Sequence, residues 1–217
     1  MKKALSVGFI VFALFSAQAE FDYDAGAKKV FDRENGWEFN AILKNTDELY
    51  LDGTGCSYSR ETPCSLNLTE ITDADGKTYK AVSFKALPAA AKPYLTEFIA
   101  PDCQKIEGEY CFNSCTELLT VELNENVTYI GQQAFGSCSD LEEIIINAKN
   151  VTLGHYVARA CAKLSKVVIN CESVTFEASS MYFTNKESGD ASGITFYVPN
   201  TDIADKLYTA FSTSHSY

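Results

Sequence analysis

Cys115-Thr116-Glu117-Leu118-Leu119-Thr120-Val121-Glu122-Leu123 is followed 23 residues later by Cys138-Ser139-Asp140-Leu141-Glu142-Glu143-Ile144-Ile145-Ile146. After the same interval comes Cys161-Ala162-Lys163-Leu164-Ser165-Lys166-Val167-Val168-Ile169. The register begins one unit earlier, because Leu95, Leu118, Leu141 and Leu164 are equally spaced and Phe98 and Ala100 precede Val121 and Leu123 by the same step. A fixed period of this size marks a solenoid, in which each unit buries its apolar face only by stacking on its neighbours. The shared unit is C-x-x-L-x-x-[VI]-x-[LI]. Its last apolar positions alternate with an outward residue, so each unit supplies one short strand buried on one face.

The alternation sorts the remaining strand residues into outward columns. One holds Glu97, Thr120, Glu143, Lys166 and Thr195, and the next holds Ile99, Glu122, Ile145, Val168 and Tyr197. The second column carries apolar groups at four of its five rungs. Exposed apolar patches mark interaction sites, although Ile, Val and Tyr also suit exposed strands for reasons of strand preference alone. The candidate protein-binding residues are therefore Ile99, Thr120, Glu122, Glu143, Ile145, Lys166, Val168 and Tyr197.

The second half of each unit is less regular. Ile106 and Phe112 answer to Ile130 and Phe135, the latter pair within Ile130-Gly131-Gln132-Gln133-Ala134-Phe135-Gly136-Ser137-Cys138. One inward isoleucine, one alanine and one aromatic in so short a run predict a turn of α- or 3₁₀-helix returning to the next strand. The third unit keeps Val157, Ala158 and Cys161 but loses the aromatic, and the pattern frays at Met181, Tyr182 and Phe183.

Leu118-x-x-Val121-x-Leu123, then Val127-x-x-Ile130-Gly131-x-x-Ala134-Phe135-x-x-Cys138, resembles the BspA-like leucine-rich repeat, the treponemal type with a 23-residue unit. Gly108, Gly131 and Gly154 hold a matching register. The strict match runs from Leu95 to Cys171, and from Leu66 to Phe211 with flanking caps. Departures are local: Ile106 sits one residue early, Leu153 replaces the isoleucine and Ala158 the phenylalanine. The expected fold is an α/β leucine-rich-repeat solenoid, a short right-handed horseshoe. It would carry a parallel sheet on one side, short helical or 3₁₀ turns on the other, an N-terminal hairpin cap and a C-terminal helix cap. The resemblance implies a secreted or surface protein that binds other proteins, including host extracellular-matrix and plasma components, without catalysis or cofactor.

Eight cysteines invite disulfides, yet Cys115, Cys138 and Cys161 share one repeat position. Side chains stacked in this way point in the same direction at strand spacing, so buried free thiols acting as small hydrophobes are expected. Cys103 falls near the place where Val127 and Val151 enter the core and is expected to do the same. Cys56 and Cys64 bracket a polar loop outside the repeats and form the candidate disulfide.

Before the array, Trp37, Phe39, Ile42 and Leu43 indicate a strand or short helix, and Glu48 to Leu51 a strand ending at Asp52-Gly53. This N-terminal extension, residues 20–64, is expected to pack on the first coil. Leu66, Leu68 and Ile71 lead through Asp73-Ala74-Asp75-Gly76 to Tyr79, Val82 and Phe84, which predicts a hairpin covering the open end of the array. The later oxygen ligands of a calcium loop do not follow at the required spacing. Residues 65–94 thus form the cap hairpin and a linker, with one helical turn between Pro88 and Tyr94. Residues 95–193 are the repeats. Residues 194–217 supply a last strand, Ile194 to Val198, and a capping helix from Asp202 to about Phe211 with Ile203, Leu207 and Phe211 on one face.

Met1-Lys2-Lys3, an apolar run from Ala4 to Phe15 and Ser16-Ala17-Gln18-Ala19 follow the order of a secretory signal peptide, with cleavage expected before Glu20. Removal of residues 1–19 takes away two lysines and no acid, moving the net charge from -11 to -13. Such acidity opposes nucleic-acid and anionic-membrane binding, and no membrane insertion of the mature chain is expected. The only histidines are His155 and His215, and no metal spacing, nucleophile elbow or phosphate-binding glycine loop occurs. The expectation is an exported, non-enzymatic protein-binding module, extracellular, surface-bound or periplasmic. A structural spacer without a ligand is the alternative.

Overall fold

Alternating sequence dictates the rungs, and the computed structural model shows them in register. It describes residues 21–32, 35–177, 183–184 and 191–212; residues 1–19, expected to be a signal peptide, and Met181, Tyr182 and His215 lie outside these. The elements in chain order are β1 Phe21–Asp24, β2 Lys29–Phe31, β3 Glu38–Leu43, β4 Glu48–Asp52, β5 Cys64–Asn67, β6 Ile71–Thr72, β7 Thr78–Ala86 and a 3₁₀ helix Ala89–Tyr94. These are followed by β8 Leu95–Ile99, β9 Lys105–Ile106, β10 Thr120–Leu123, β11 Tyr129–Ile130, β12 Glu143–Ile146, β13 Asn150–Leu153, β14 Lys166–Ile169, β15 Ser173–Phe176, β16 Thr195–Tyr197 and α1 Thr201–Ser212.

Each repeat contributes two strands, to two separate parallel sheets. The first repeat sheet runs β10-β12-β14-β16, with Thr120, Glu143, Lys166 and Thr195 in one row and Glu122, Ile145, Val168 and Tyr197 in another. The second runs β7-β9-β11-β13-β15, aligning Phe84, Ile106, Ile130, Leu153 and Phe176. Between them lie the buried columns expected from the period: Leu95, Leu118, Leu141 and Leu164, then Cys115, Cys138 and Cys161. Phe84, Phe98, Phe112 and Phe135 form a continuous aromatic stack, with successive centroids at 5.3, 4.5 and 5.2 Å. Ala158 interrupts the phenylalanine column, and buried Phe183 bridges to it from the next coil.

The return side of the repeats departs from expectation. Among the described residues no helical turn occurs within the array. Stacked turns stand there, with Tyr110, Gln133 and Tyr156, and likewise Ser114, Ser137 and Ala160, at positive φ. Their N–H groups donate from coil to coil: Tyr110, Phe112 and Ser114 to the carbonyls of Gln132, Ala134 and Gly136, and Gln133, Phe135 and Ser137 to those of His155, Val157 and Arg159. The cause is spacing. Parallel strands on both sheets fix the rise between coils at about 4.8 Å, whereas an α-helix with side chains is about 10 Å across. A turn alternating right- and left-handed residues presents its amides along the stacking direction instead.

The glycine column answers to the same crowding. A Cβ on Gly108 would sit 1.5 Å from the Lys85 carbonyl oxygen, and one on Gly154 would sit 2.7 Å from the Gln132 nitrogen. The neighbour in each case is backbone, which cannot swing away.

Residues 21–86 build more than an extension with a hairpin cap. β1, β2, β3 and β4 are antiparallel neighbours, β4 joins β7 in parallel, β7 pairs antiparallel with β6, and β6 pairs in parallel with β1. The six strands close a barrel-like ring filled by Phe21, Tyr23, Val30, Phe39, Leu49 and Ile71. The Asp73 to Gly76 turn forms as expected, with Gly76 at φ +79° and the Asp73 carboxylate accepting from the amides of Asp75 and Lys77. However, the hairpin does not merely cover an open end. Its long strand, β7, is itself the first rung of the second sheet. Cys64–Asn67 leaves the hairpin altogether and pairs in parallel with β8 as the first rung on the other side.

At the far end α1 buries Ile203, Leu207 and Ala210. The Asn200 side chain accepts from the Ile203 amide at 3.0 Å, an N-cap that satisfies one free donor of the first turn. No helix among the described residues is long and apolar enough to cross a membrane.

Candidate functional site

Buried positions are accounted for by stacking, so any site must lie on the outward rows. The pairing sets Thr120, Glu143 and Lys166 side by side in one row and Glu122, Ile145, Val168 and Tyr197 in the next. Ile99 stands on β8, which lies outside this four-stranded sheet and pairs with β5. The apolar column is less exposed than its sequence suggests. Ile99, Ile145 and Val168 are half-buried, while Tyr197 is 52% exposed. Column neighbours about 4.8 Å away cover the flanks of each inner side chain, and β16 has a rung on one side only.

Lys166 organises the end of this face. Its Nζ lies 2.5 Å from a Glu143 carboxylate oxygen and 5.7 Å from the centre of the Tyr197 ring. The hydrogen bond to Glu143 holds the ammonium pKa above its ordinary value. Lys163 repeats the arrangement with Asp140 at 2.9 Å. The sheet face is thus apolar and aromatic around a cation, with acids at its edges.

A polar ladder that sequence reading missed borders the face. Asn124, Asn147 and Asn170 recur every 23 residues. The Asn170 amide donates to the Asn147 side-chain oxygen at 2.9 Å, Asn147 donates to Glu122 at 2.9 Å, and Asn124 to the Ala100 carbonyl at 3.0 Å. The identical spacing in the sequence was the available signal.

A concavity opens at the first-coil end of the predicted rows and shares Ile99, Thr120 and Glu122 with them. Between β8 and β10 the rungs part, β8 staying with β5 and β10 with β12. A groove of about 740 Å³ lies there, lined by Glu97, Ile99, Pro101, Leu119, Glu122 and Glu125 among others. Its cause is the loop that follows each strand. Asn147 and Asn170 donate their backbone N–H groups to Leu123 and Ile146 and so prolong the ladder. In the first coil the loop is shorter, and the Ala100 carbonyl is taken by the Cys103 amide in a tight turn. Leu119 is 52% exposed on the groove wall. Sequence reading passed over it, although Thr96, Glu142 and Ser165 are polar at the equivalent place.

The candidate disulfide is not formed. Cys56 and Cys64 are both free thiols. The Cys64 sulfur is buried and lies 2.7 Å from the Tyr58 hydroxyl, whereas Cys56 faces the Asp52 carbonyl at 3.6 Å and Lys29 at 3.7 Å. Strand pairing of β5 with β8 draws Cys64 inward, while Cys56 stays at the barrel end. The repeat thiols are buried and unpaired as expected, Cys138 and Cys161 donating to the Phe112 and Phe135 carbonyls at 3.2 and 3.1 Å. Among the described residues no cluster of His, Cys, Asp or Glu is arranged to hold a metal ion.

A crystal structure of a leucine-rich repeat protein from Bacteroides ovatus is similar to this protein at 17% identity and a TM-score of 0.47, over 72% of this chain and 44% of that one. The chain therefore spans less than half the length of that protein. No curated protein matches the chain. The profile of the BspA type leucine-rich repeat region matches residues 90–212 in six copies. Proteins of that kind are generally protein-interaction or surface modules. The matched segment covers more than half of the sequence and carries the stacked leucine, glycine, phenylalanine and cysteine columns, and the chain belongs to the BspA-type leucine-rich repeat family.

Proposed function

We propose that the protein is an exported, surface-exposed or secreted adhesin-like module that binds a protein partner through the outward face of the first repeat sheet. The observation that carries this reading is the patch in which Tyr197 and Lys166 meet Ile145 and Val168 on adjacent rungs. Tyrosine is enriched at the centres of protein interfaces, and the flanking aliphatic groups extend its apolar area. The leader-like residues 1–19 support export. The partner class is an extracellular-matrix, plasma or envelope protein.

The test is a binding screen of Glu20 to Tyr217 against a panel of such proteins, with an Ile145→Ser/Tyr197→Ser variant alongside. Saturable binding that the variant loses, with an unchanged melting temperature, supports the reading. Absence of binding to every panel member moves the weight to a structural spacer.

A further inference from the structure

We propose that the outward face of the second sheet binds a neutral, extended oligosaccharide, with two tyrosine rings laid along the sheet as its platforms. This goes beyond the protein-binding reading, which concerns the first sheet, and stands without it. The rings belong to two copies of one arrangement. Strand pairing aligns Tyr50, Ser83, Lys105, Tyr129, Thr152 and Thr175 in a single outward row across β4, β7, β9, β11, β13 and β15. A second row holds Glu107, Gly131, Gly154 and Glu177, whose N–H groups donate in one register to the carbonyls of Phe84, Ile106, Ile130 and Leu153 on the rung before.

Two hydrogen bonds fix how the tyrosines lie. Tyr129 on β11 donates its hydroxyl to the Glu177 carboxylate, just past β15, at 3.3 Å. Tyr50 on β4 makes the same bond to Glu107, just past β9. Each bond spans two rungs, about 10 Å of sheet. A tyrosine standing upright from the strand does not reach so far, so each ring lies along the face. The path of Tyr129 crosses β13 beside Gly154, which has no side chain to lift the ring. Both tyrosines are accordingly half-buried, one ring face on the sheet and the other turned outward. The Lys44 ammonium lies over the Tyr50 ring at 4.7 Å, on an exposed side chain that is free to swing aside.

Outward ring faces pack against the apolar C–H face of a sugar, and the polar groups between them suit its hydroxyls. Ser83 is 5% exposed, and its hydroxyl has no hydrogen-bond partner among the described residues. It stands in the row between Tyr50 and Lys105. A sugar hydroxyl set beside the Tyr50 ring supplies the partner that this buried group lacks. Beside Tyr129 a concavity of about 500 Å³ is lined by Lys105, Glu107, Thr128, Tyr129 and Thr152. Charge selects a neutral ligand, because Lys105 already has Glu107 at 3.8 Å and Lys85 has Asp52 at 2.8 Å. The two rings start three rungs apart, about 14 Å. A short extended glycan covers that length and a single sugar does not.

The experiment titrates Glu20 to Tyr217 with cellohexaose, β-mannohexaose and N-acetylchitohexaose in turn, read by isothermal titration calorimetry. Saturable binding of at least one is expected, and the matching monosaccharide should bind about a hundredfold more weakly. Tyr50→Ala and Tyr129→Ala should each weaken the hexasaccharide about tenfold or more. Thr152→Arg, which keeps both rings and crowds the space beside Tyr129, should weaken it as well. The melting temperature of each variant reports an intact fold. Ile145→Ser/Tyr197→Ser should leave the sugar affinity unchanged, so the two faces are tested separately. Binding of a panel protein with no sugar bound keeps the first sheet as a site and removes this one, and sugar binding without any panel partner does the reverse. Failure of all three hexasaccharides to bind, undiminished affinity in both tyrosine variants, or a preference for a hyaluronan hexasaccharide overturns the proposal.

Discussion

The indole N–H of Trp37 donates to the main-chain carbonyl of Ser65 at 3.1 Å, joining the N-terminal barrel to the outer edge of the first repeat rung. Trp37 is 1% exposed and packs against Phe39 and Tyr58. A solenoid's first strand has an unpaired edge that recruits other chains unless something covers it. The barrel is that cover.

Trp37→Phe keeps an aromatic ring but leaves the Ser65 carbonyl without its donor, which should cost about 1 to 2 kcal/mol. Denaturant unfolding measures it directly. A second effect is expected in light scattering, where the variant should self-associate more readily than its parent because the rung edge is exposed by fluctuation.

Alanine substitution along the glycine column should destabilise in the order of the clashes. Gly108→Ala, 1.5 Å from the Lys85 carbonyl oxygen, should prevent stacking of the first coils. Gly154→Ala, 2.7 Å from the Gln132 nitrogen, should cost about 1 to 3 kcal/mol. Gly131→Ala, at 3.0 Å from the carbonyls below, should be mildest. A different ranking of melting temperatures would place the coils further apart than described.

The thiols predict an alkaline weakness. Burial holds Cys103 at about 12 and Cys171 at about 11, against an ordinary 9.0. The preceding member of the thiol column, Cys115 beside Cys138 and Cys138 beside Cys161, pushes both later members up, and burial adds to the rise. A thiol held protonated in the native state binds its proton more tightly there than in the unfolded chain. Stability is therefore complete below about pH 9 and falls as pH rises from there through the folded pKa values, by up to ~1.4 kcal/mol per pH unit for each thiol. Urea unfolding at successive pH values should show this slope, and Cys138→Ala/Cys161→Ala should flatten it.

Thiol labelling at neutral pH supplies a further check. Cys56, alone among the eight cysteines in not being buried, should react first, and the others only on unfolding. A reductant should leave the melting temperature unchanged, since no bridge is present to break.

Much of this architecture was legible because stacking imposes a strict period. Leu118, Val121 and Leu123 announce their strand, and the same triplet recurs in every unit. Closure of the barrel was not legible, since Phe21–Asp24 and Ile71–Thr72 pair in parallel across about fifty residues with no local signal. The turns misled for another reason. Tyr110, Gln133 and Tyr156 adopt positive φ without being glycine, so composition alone suggested a helical turn. The outward columns were placed correctly from β10 to β16, but the parting of β8 from β10 goes with the shortened loop after β8, where the Cys103 amide takes the Ala100 carbonyl. Only Leu119, apolar at a polar repeat position, hinted at it.

The central claim is that the first repeat sheet, rather than the second, meets the partner. The most direct measurement compares affinities for one panel partner across two variants, Ile145→Ser/Tyr197→Ser on the first sheet and Tyr129→Ser/Thr152→Arg on the second. A loss of about a hundredfold in the first variant, with the second within about twofold of the parent, is the predicted result. Undiminished binding in the first variant, or a loss confined to the second, would contradict it.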